Sequence, residues 1–124
     1  MNKLQQSVEN LGKALARLEE ALAEVNPTSL MVDGTIQRFE FTLELFWKTL
    51  KRLLEREGIE ATTPKEVLKQ SYQAKWIDHE TVWIQMLDDR NKTSYIYDEE
   101  TAGRIYKHIK VNFQEMQQVY RKLF

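Results

Sequence analysis

The chain contains no cysteine. Disulfides, thiolate metal sites and cysteine nucleophiles are therefore excluded, and the composition suits a reducing compartment. Its four glycines, Gly12, Gly34, Gly58 and Gly103, are isolated, so no glycine-rich loop exists to cradle phosphates in the Walker or Rossmann manner. A glycine-serine turn followed by paired aspartates is also missing, which argues against intrinsic nucleotidyl transfer. No apolar run approaches the ~20 residues that span a bilayer, and Met1–Ser7 carries no apolar signal core. The expectation is a cytoplasmic protein without a membrane partner. Charge of one sign is lacking too: 18 basic against 19 acidic residues leave −1. No global field draws the chain to nucleic acid or lipid, so DNA is not an expected partner and any polyanion contact must be local.

What is present is helical periodicity. At 124 residues the chain reads as one domain, residues 1–124, able to bury roughly two-thirds of its unfolded surface. Leu4, Val8, Leu11, Leu15, Leu18, Leu22 and Val25 recur at spacings of four and three, the stripe of a first helix that Asn26-Pro27 should end. Ile36, Phe39, Leu43, Phe46, Leu50 and Leu53 form a second stripe, with Phe41, Trp47 and Leu54 on neighbouring faces. That helix should be central, or covered by a second copy. Gly58 supplies a left-handed stop, and Thr63-Pro64-Lys65-Glu66 reads as a cap, a proline at the first helical position and a capping-box glutamate. Asp78 is placed to cap a fourth helix carrying Val82, Trp83, Ile84, Met86 and Leu87. Asp98 is placed to cap a fifth through Ile105, Ile109, Phe113, Met116, Tyr120 and Leu123. No segment alternates with period two for long enough to be a strand. The fold class is all-α: an antiparallel up-and-down bundle of four to five helices, the three long ones each about 30 Å in length.

Between the fourth and fifth helices stands Asp89-Arg90-Asn91-Lys92-Thr93-Ser94-Tyr95-Ile96-Tyr97-Asp98. Glycine and proline, the ordinary punctuation of such a junction, are absent from it. Arg90 falls in the last helical turn, and Tyr95 follows after four intervening residues. If residues 95–97 are extended, both tyrosines point one way and Ile96 points into the core. A guanidinium with two phenols suits a phosphate and a base, because arginine grips phosphate bidentately and tyrosine stacks or hydrogen-bonds. The plainer reading is an arginine complementing a helix C-terminus and tyrosines plugging the bundle end.

Other polar groups read more simply. Glu44 and Lys48, four apart on the second helix, suit a surface ion pair. Trp47 and Trp83 read as packing residues. His79 follows Asp78, while His108 sits among Arg104, Lys107 and Lys110 on a face expected to be solvated. Neither histidine has metal-ligand spacing, and Asp78, His79 and Glu80 point to different sides of a helix, so no metal is expected.

The order Gly34-Thr35-Ile36-Gln37-Arg38-Phe39-Glu40-Phe41-Thr42-x-Glu44-Leu45-x-Trp47-Lys48, then Trp83, Met86-Leu87, Arg90-Asn91-Lys92-Thr93-Ser94 and Tyr97-Asp98-Glu99, resembles the nucleotidyltransferase substrate-binding family, part of the wider HEPN group. The similarity runs from about residue 4 to residue 120. It implies a HEPN-like bundle that forms a homodimer and associates with a separately encoded minimal nucleotidyltransferase, in some cases as a toxin–antitoxin pair. Glu44, Lys48, Arg90, Asn91, Ser94 and Tyr95 would then bind substrate. Tyr97 matches the tyrosine that accepts AMP in some pairs. ATP and Mg²⁺ would sit on the partner, with no cofactor in this chain.

The same resemblance carries a rival. Ribonucleases of the wider group carry an arginine, four to six intervening residues and then a histidine, and family members similar to this chain read Arg-Asn-x-x-Ser-His-x-Tyr. Arg90, Asn91, Ser94 and Tyr97 match that run, and Tyr95 takes the histidine's place. A phenol of pKa near 10 is ionised in about one molecule in a thousand at pH 7, a poor general base where imidazole would be half-ready. Arg90 and Tyr95 would be the catalytic pair only in this ribonuclease reading, with RNA as substrate. A third reading is a scaffolding bundle whose polar junction has no ligand.

Overall fold

A computed structural model describes residues 2–93 and 98–124. Five helices follow one another: α1 (Lys3–Leu22), α2 (Ser29–Arg56), α3 (Pro64–Gln73), α4 (Glu80–Lys92) and α5 (Glu99–Leu123). The described residues contain no strand.

The helix ends show which local signals act. Asn2 and Gln5 cap α1 reciprocally, at 2.8 and 3.2 Å. The helix closes at Leu22, three residues short of the expected Val25, which is 85% exposed. Residues 23–28 must turn the chain back to Thr28, whose hydroxyl accepts from the Met31 N–H, and a helix continued to the proline would leave no length for that turn. At the far end of α2, Gly58 adopts φ +79°, the left-handed stop expected of it. Thr63 caps α3 as predicted, but the Glu66 carboxylate reaches past it to the Thr62 N–H and hydroxyl, at 3.0 and 3.1 Å.

Asp78 does not cap α4. His79 holds that position without a side-chain cap bond, while Asp78 pairs with Lys122 at 3.4 Å and His79 with Glu115 at 3.1 Å. Partners on α5, remote in sequence, win over the local cap. Asp98 does cap α5, accepting from the Thr101 N–H at 2.6 Å, and that bond holds its carboxyl below the ordinary aspartate value.

Side-chain bonds fix the packing direction. Ser7 meets Thr49, Ala14 meets Thr42 and Arg17 meets Arg38, so α2 descends as α1 ascends. Trp83 with Glu115 and Asp89 with His108 give α4 and α5 the same antiparallel relation. Thr35, Thr42 and Thr49 line one face of α2 and are buried, yet each hydroxyl donates to the carbonyl four residues back, at 2.6 to 2.8 Å. Their polarity is therefore satisfied within the helix.

Helix α2 touches all four other helices, the central position its many-sided apolar surface implies. Leu11, Leu18, Phe39, Leu43, Phe46, Leu50, Trp83, Met86, Ile109 and Met116 form the core around it. The Trp83 ring meets Phe46 edge-on at 4.7 Å between centroids. Gly12 marks a close approach: a Cβ there would come within 2.5 Å of the Tyr120 hydroxyl, which donates to the Val8 carbonyl at 3.1 Å.

Candidate functional site

On α2, positions 44, 47 and 48 share one face. The Glu44 carboxylate is the hub of that face. Its Oε2 accepts from the Trp47 indole N–H at 3.0 Å, its Oε1 lies 3.4 Å from Lys48 Nζ, and the guanidinium of Arg90 arrives from α4 to donate to Oε2 at 2.7 Å. Arg90 also reaches Asn91 Oδ1 at 3.4 Å, and the Thr93 hydroxyl closes the last turn of α4 by donating to the Arg90 carbonyl at 2.6 Å.

Four of the predicted site residues, Glu44, Lys48, Arg90 and Asn91, are thus brought together at one end of α4. Ser94, Tyr95 and Tyr97 lie outside the described residues. The simple ion pair expected of Glu44 and Lys48 is one arm of a larger cluster. Trp47 packs against the core with its ring, as expected, while its N–H fixes Glu44.

The electrostatics follow from this geometry. Partial burial pulls the Glu44 carboxyl toward protonation, but the Trp47 hydrogen bond, the Arg90 charge and Lys48 outweigh it and hold its pKa below the ordinary 4.5. Its folded value lies below its unfolded one, so the pair with Arg90 persists from neutrality down and is lost as pH falls through the depressed folded value. An NMR titration of the Glu44 side-chain carbon should accordingly give a midpoint below 4.5, and in Arg90→Ala the midpoint should rise. An unmoved midpoint in that variant would refute the assignment.

A second polar seam runs between α4 and α5, where sequence reasoning placed nothing. His108, expected on a solvated face, turns Nδ1 to the Asp89 carboxylate at 3.1 Å, and Asp89 is 4% exposed. Its neighbours Arg104, Lys107 and Lys110 are exposed as expected. Glu115, two turns further along α5, takes both His79 and the Trp83 N–H, the latter at 3.0 Å. The signal was available: Asp89 continues the spacing Val82, Met86, so an acid sits in the apolar stripe of α4 and must find a partner there.

The arrangement supplies a half-exposed guanidinium whose fork is oriented by a carboxylate and an amide, next to an ammonium group. Such a group can bind a phosphate when its carboxylate partner yields. Among the described residues no cluster of three acids, histidines or cysteines could hold a metal ion.

A family model described as nucleotidyltransferase substrate binding protein like matches residues 6–124. The chain belongs to that family. A solved structure from Thermus thermophilus superposes with a TM-score of 0.86 at 34% identity, over 91% of this chain and 98% of that one. A second, from Haemophilus influenzae and described as the fold of a substrate binding domain of a nucleotidyltransferase, gives 0.85 at 27% identity, over 94% and 98%. The chain is also 34% identical over 84 residues to a Haemophilus influenzae protein named Probable ribonuclease HepT, a match that spans 64% of this chain and 58% of that protein. The family, the all-helical bundle and the HEPN relationship agree with the expectations from sequence.

Proposed function

We propose that this chain is the substrate-binding, and itself the substrate, half of a two-component nucleotidyltransferase system of toxin–antitoxin type, acting as a homodimer. The observation that carries the reading is the 2.7 Å contact of Arg90 with Glu44. It joins the helix-2 polar face to the Arg-Asn segment, the two stretches on which the family resemblance rests. Arg90 would steady the phosphates of a nucleotide held by the partner, with Lys48 adding charge and Asn91 a hydrogen bond.

Tyr97 would be the acceptor. Its phenolic oxygen attacks the α-phosphorus of ATP, a new O–P bond forms, the bond to the bridging oxygen breaks, pyrophosphate leaves and the phenol proton passes to solvent or a base on the partner. Metal ions and ATP come from the partner, so the acceptor need only be positioned. Incubating the chain with a minimal nucleotidyltransferase partner, Mg²⁺ and ATP should add one adenylyl group to its intact mass, and Tyr97→Phe should not gain it. No complex and no mass gain would overturn the reading.

The likeness to the protein named a ribonuclease supports a second reading. Here Arg90 binds the scissile phosphate of RNA and Tyr95 stands where imidazole is usual. Cleavage of RNA by the purified chain, abolished in Arg90→Ala, would favour it over the first.

A further inference from the structure

A groove of about 730 Å³ runs between α1 and α2, on a part of the hairpin distinct from the Arg90 cluster. Its apolar strip is Ala14, Phe41 and Leu45, and its cations are Lys13, Arg17 and Arg38; among the described residues no carboxylate lines it. Phe41 is 61% exposed, more than the exposed aromatics Tyr72 at 45% and Phe124 at 40%, and it is the one of the three that stands in a groove beside cations. Among the described residues none of the three cations is in a salt bridge. Arg38 is nonetheless fixed, because its Nη1 donates to the Arg17 carbonyl across the groove at 2.7 Å.

We infer that this groove is the docking site for an acidic amphipathic helix of a different protein. The lining positions recur at helical spacing along two antiparallel helices, which makes a trough for a third helix packed along them. An incoming apolar stripe would lie on Phe41 and Leu45, and flanking carboxylates would meet Lys13, Arg17 and Arg38. A second copy of this chain is disfavoured, since a two-fold pairing of grooves sets the same three cations against each other. Single-stranded RNA is a poorer fit as well, because such grooves offer successive aromatic platforms and this one offers a single ring. The inference is independent of the reading given to Arg90.

The test uses the whole chain and a fluorescent designed helix of about five turns, with leucines spaced four and three apart and glutamates flanking them. Anisotropy should show saturable binding of this peptide and none of its lysine-for-glutamate counterpart. Phe41→Ala and Arg17→Glu, both at exposed positions, should each weaken binding about tenfold or more with helical content unchanged. Arg90→Ala should leave it intact. The inference falls if the glutamate peptide does not bind, if neither groove variant affects it, if oligouridylate binds in its place, or if Phe41→Ala converts a dimer to monomers.

Discussion

Arg90→Ala should slow partner-dependent adenylylation of the chain by one to two orders of magnitude while leaving the bundle folded. The guanidinium already makes one charge-assisted bond, to Glu44 at 2.7 Å. A hydrogen bond to a charged group contributes about 1.5–3 kcal/mol, and each 1.4 kcal/mol is about a factor of ten, so a phosphate that loses the Arg90 fork should bind about ten- to a hundredfold more weakly. Stability should change by less than about 1 kcal/mol, because the pair with Glu44 is partly open to water. Arg90→Lys should fall between the two: it keeps the charge and loses the planar fork. Initial rates of mass gain, measured beside thermal melts, separate the two effects. An unchanged rate in Arg90→Ala would remove Arg90 from the site.

The largest loss of stability is expected from Trp83→Ala. Trp83 is fully buried, meets Phe46 edge-on and donates its indole N–H to Glu115. Truncation opens a cavity at the junction of α2, α4 and α5 and takes a donor from a carboxylate that is itself mostly buried. Together these should cost about 3–5 kcal/mol, a large share of the 5–15 kcal/mol typical of a whole domain. Trp83→Phe should cost less, since it keeps an aromatic ring against Phe46 and leaves Glu115 with His79. Urea unfolding with a constant slope would register the difference as a shift in midpoint. A Trp83→Ala midpoint within about 1 kcal/mol of wild type would contradict the packing described.

The reach of sequence reasoning varied with the range of the interaction. Helix number and type followed from 3.6-residue periodicity, and the caps at Thr63, Asp98 and Gly58 were legible because each is decided within four residues. Asp78 was misread because its rival partner, Lys122, lies 44 positions away. The same limitation hid His108 and Asp89, whose pairing becomes visible only once α4 and α5 are laid antiparallel. At the candidate site, residue types and spacing brought Arg90 to notice, and the resemblance added Asn91, Glu44 and Lys48 as binding residues. That Glu44 holds Arg90 across 46 residues could not be read from either segment alone. Nor could the groove of Phe41, since an aromatic residue flanking an apolar stripe looks the same in sequence whether it is covered or bare.

The hydroxyl of Tyr120 on the carbonyl of Val8 joins positions 112 apart, whereas the α1–α2 hairpin needs only a short turn to zip. Closing the longer loop costs more chain entropy and brings no reward until both helices exist. Assembly should therefore start at the hairpin, with the last helix settling onto a surface already made. In hydrogen exchange, the final turns of that helix should open ahead of the pair they rest on.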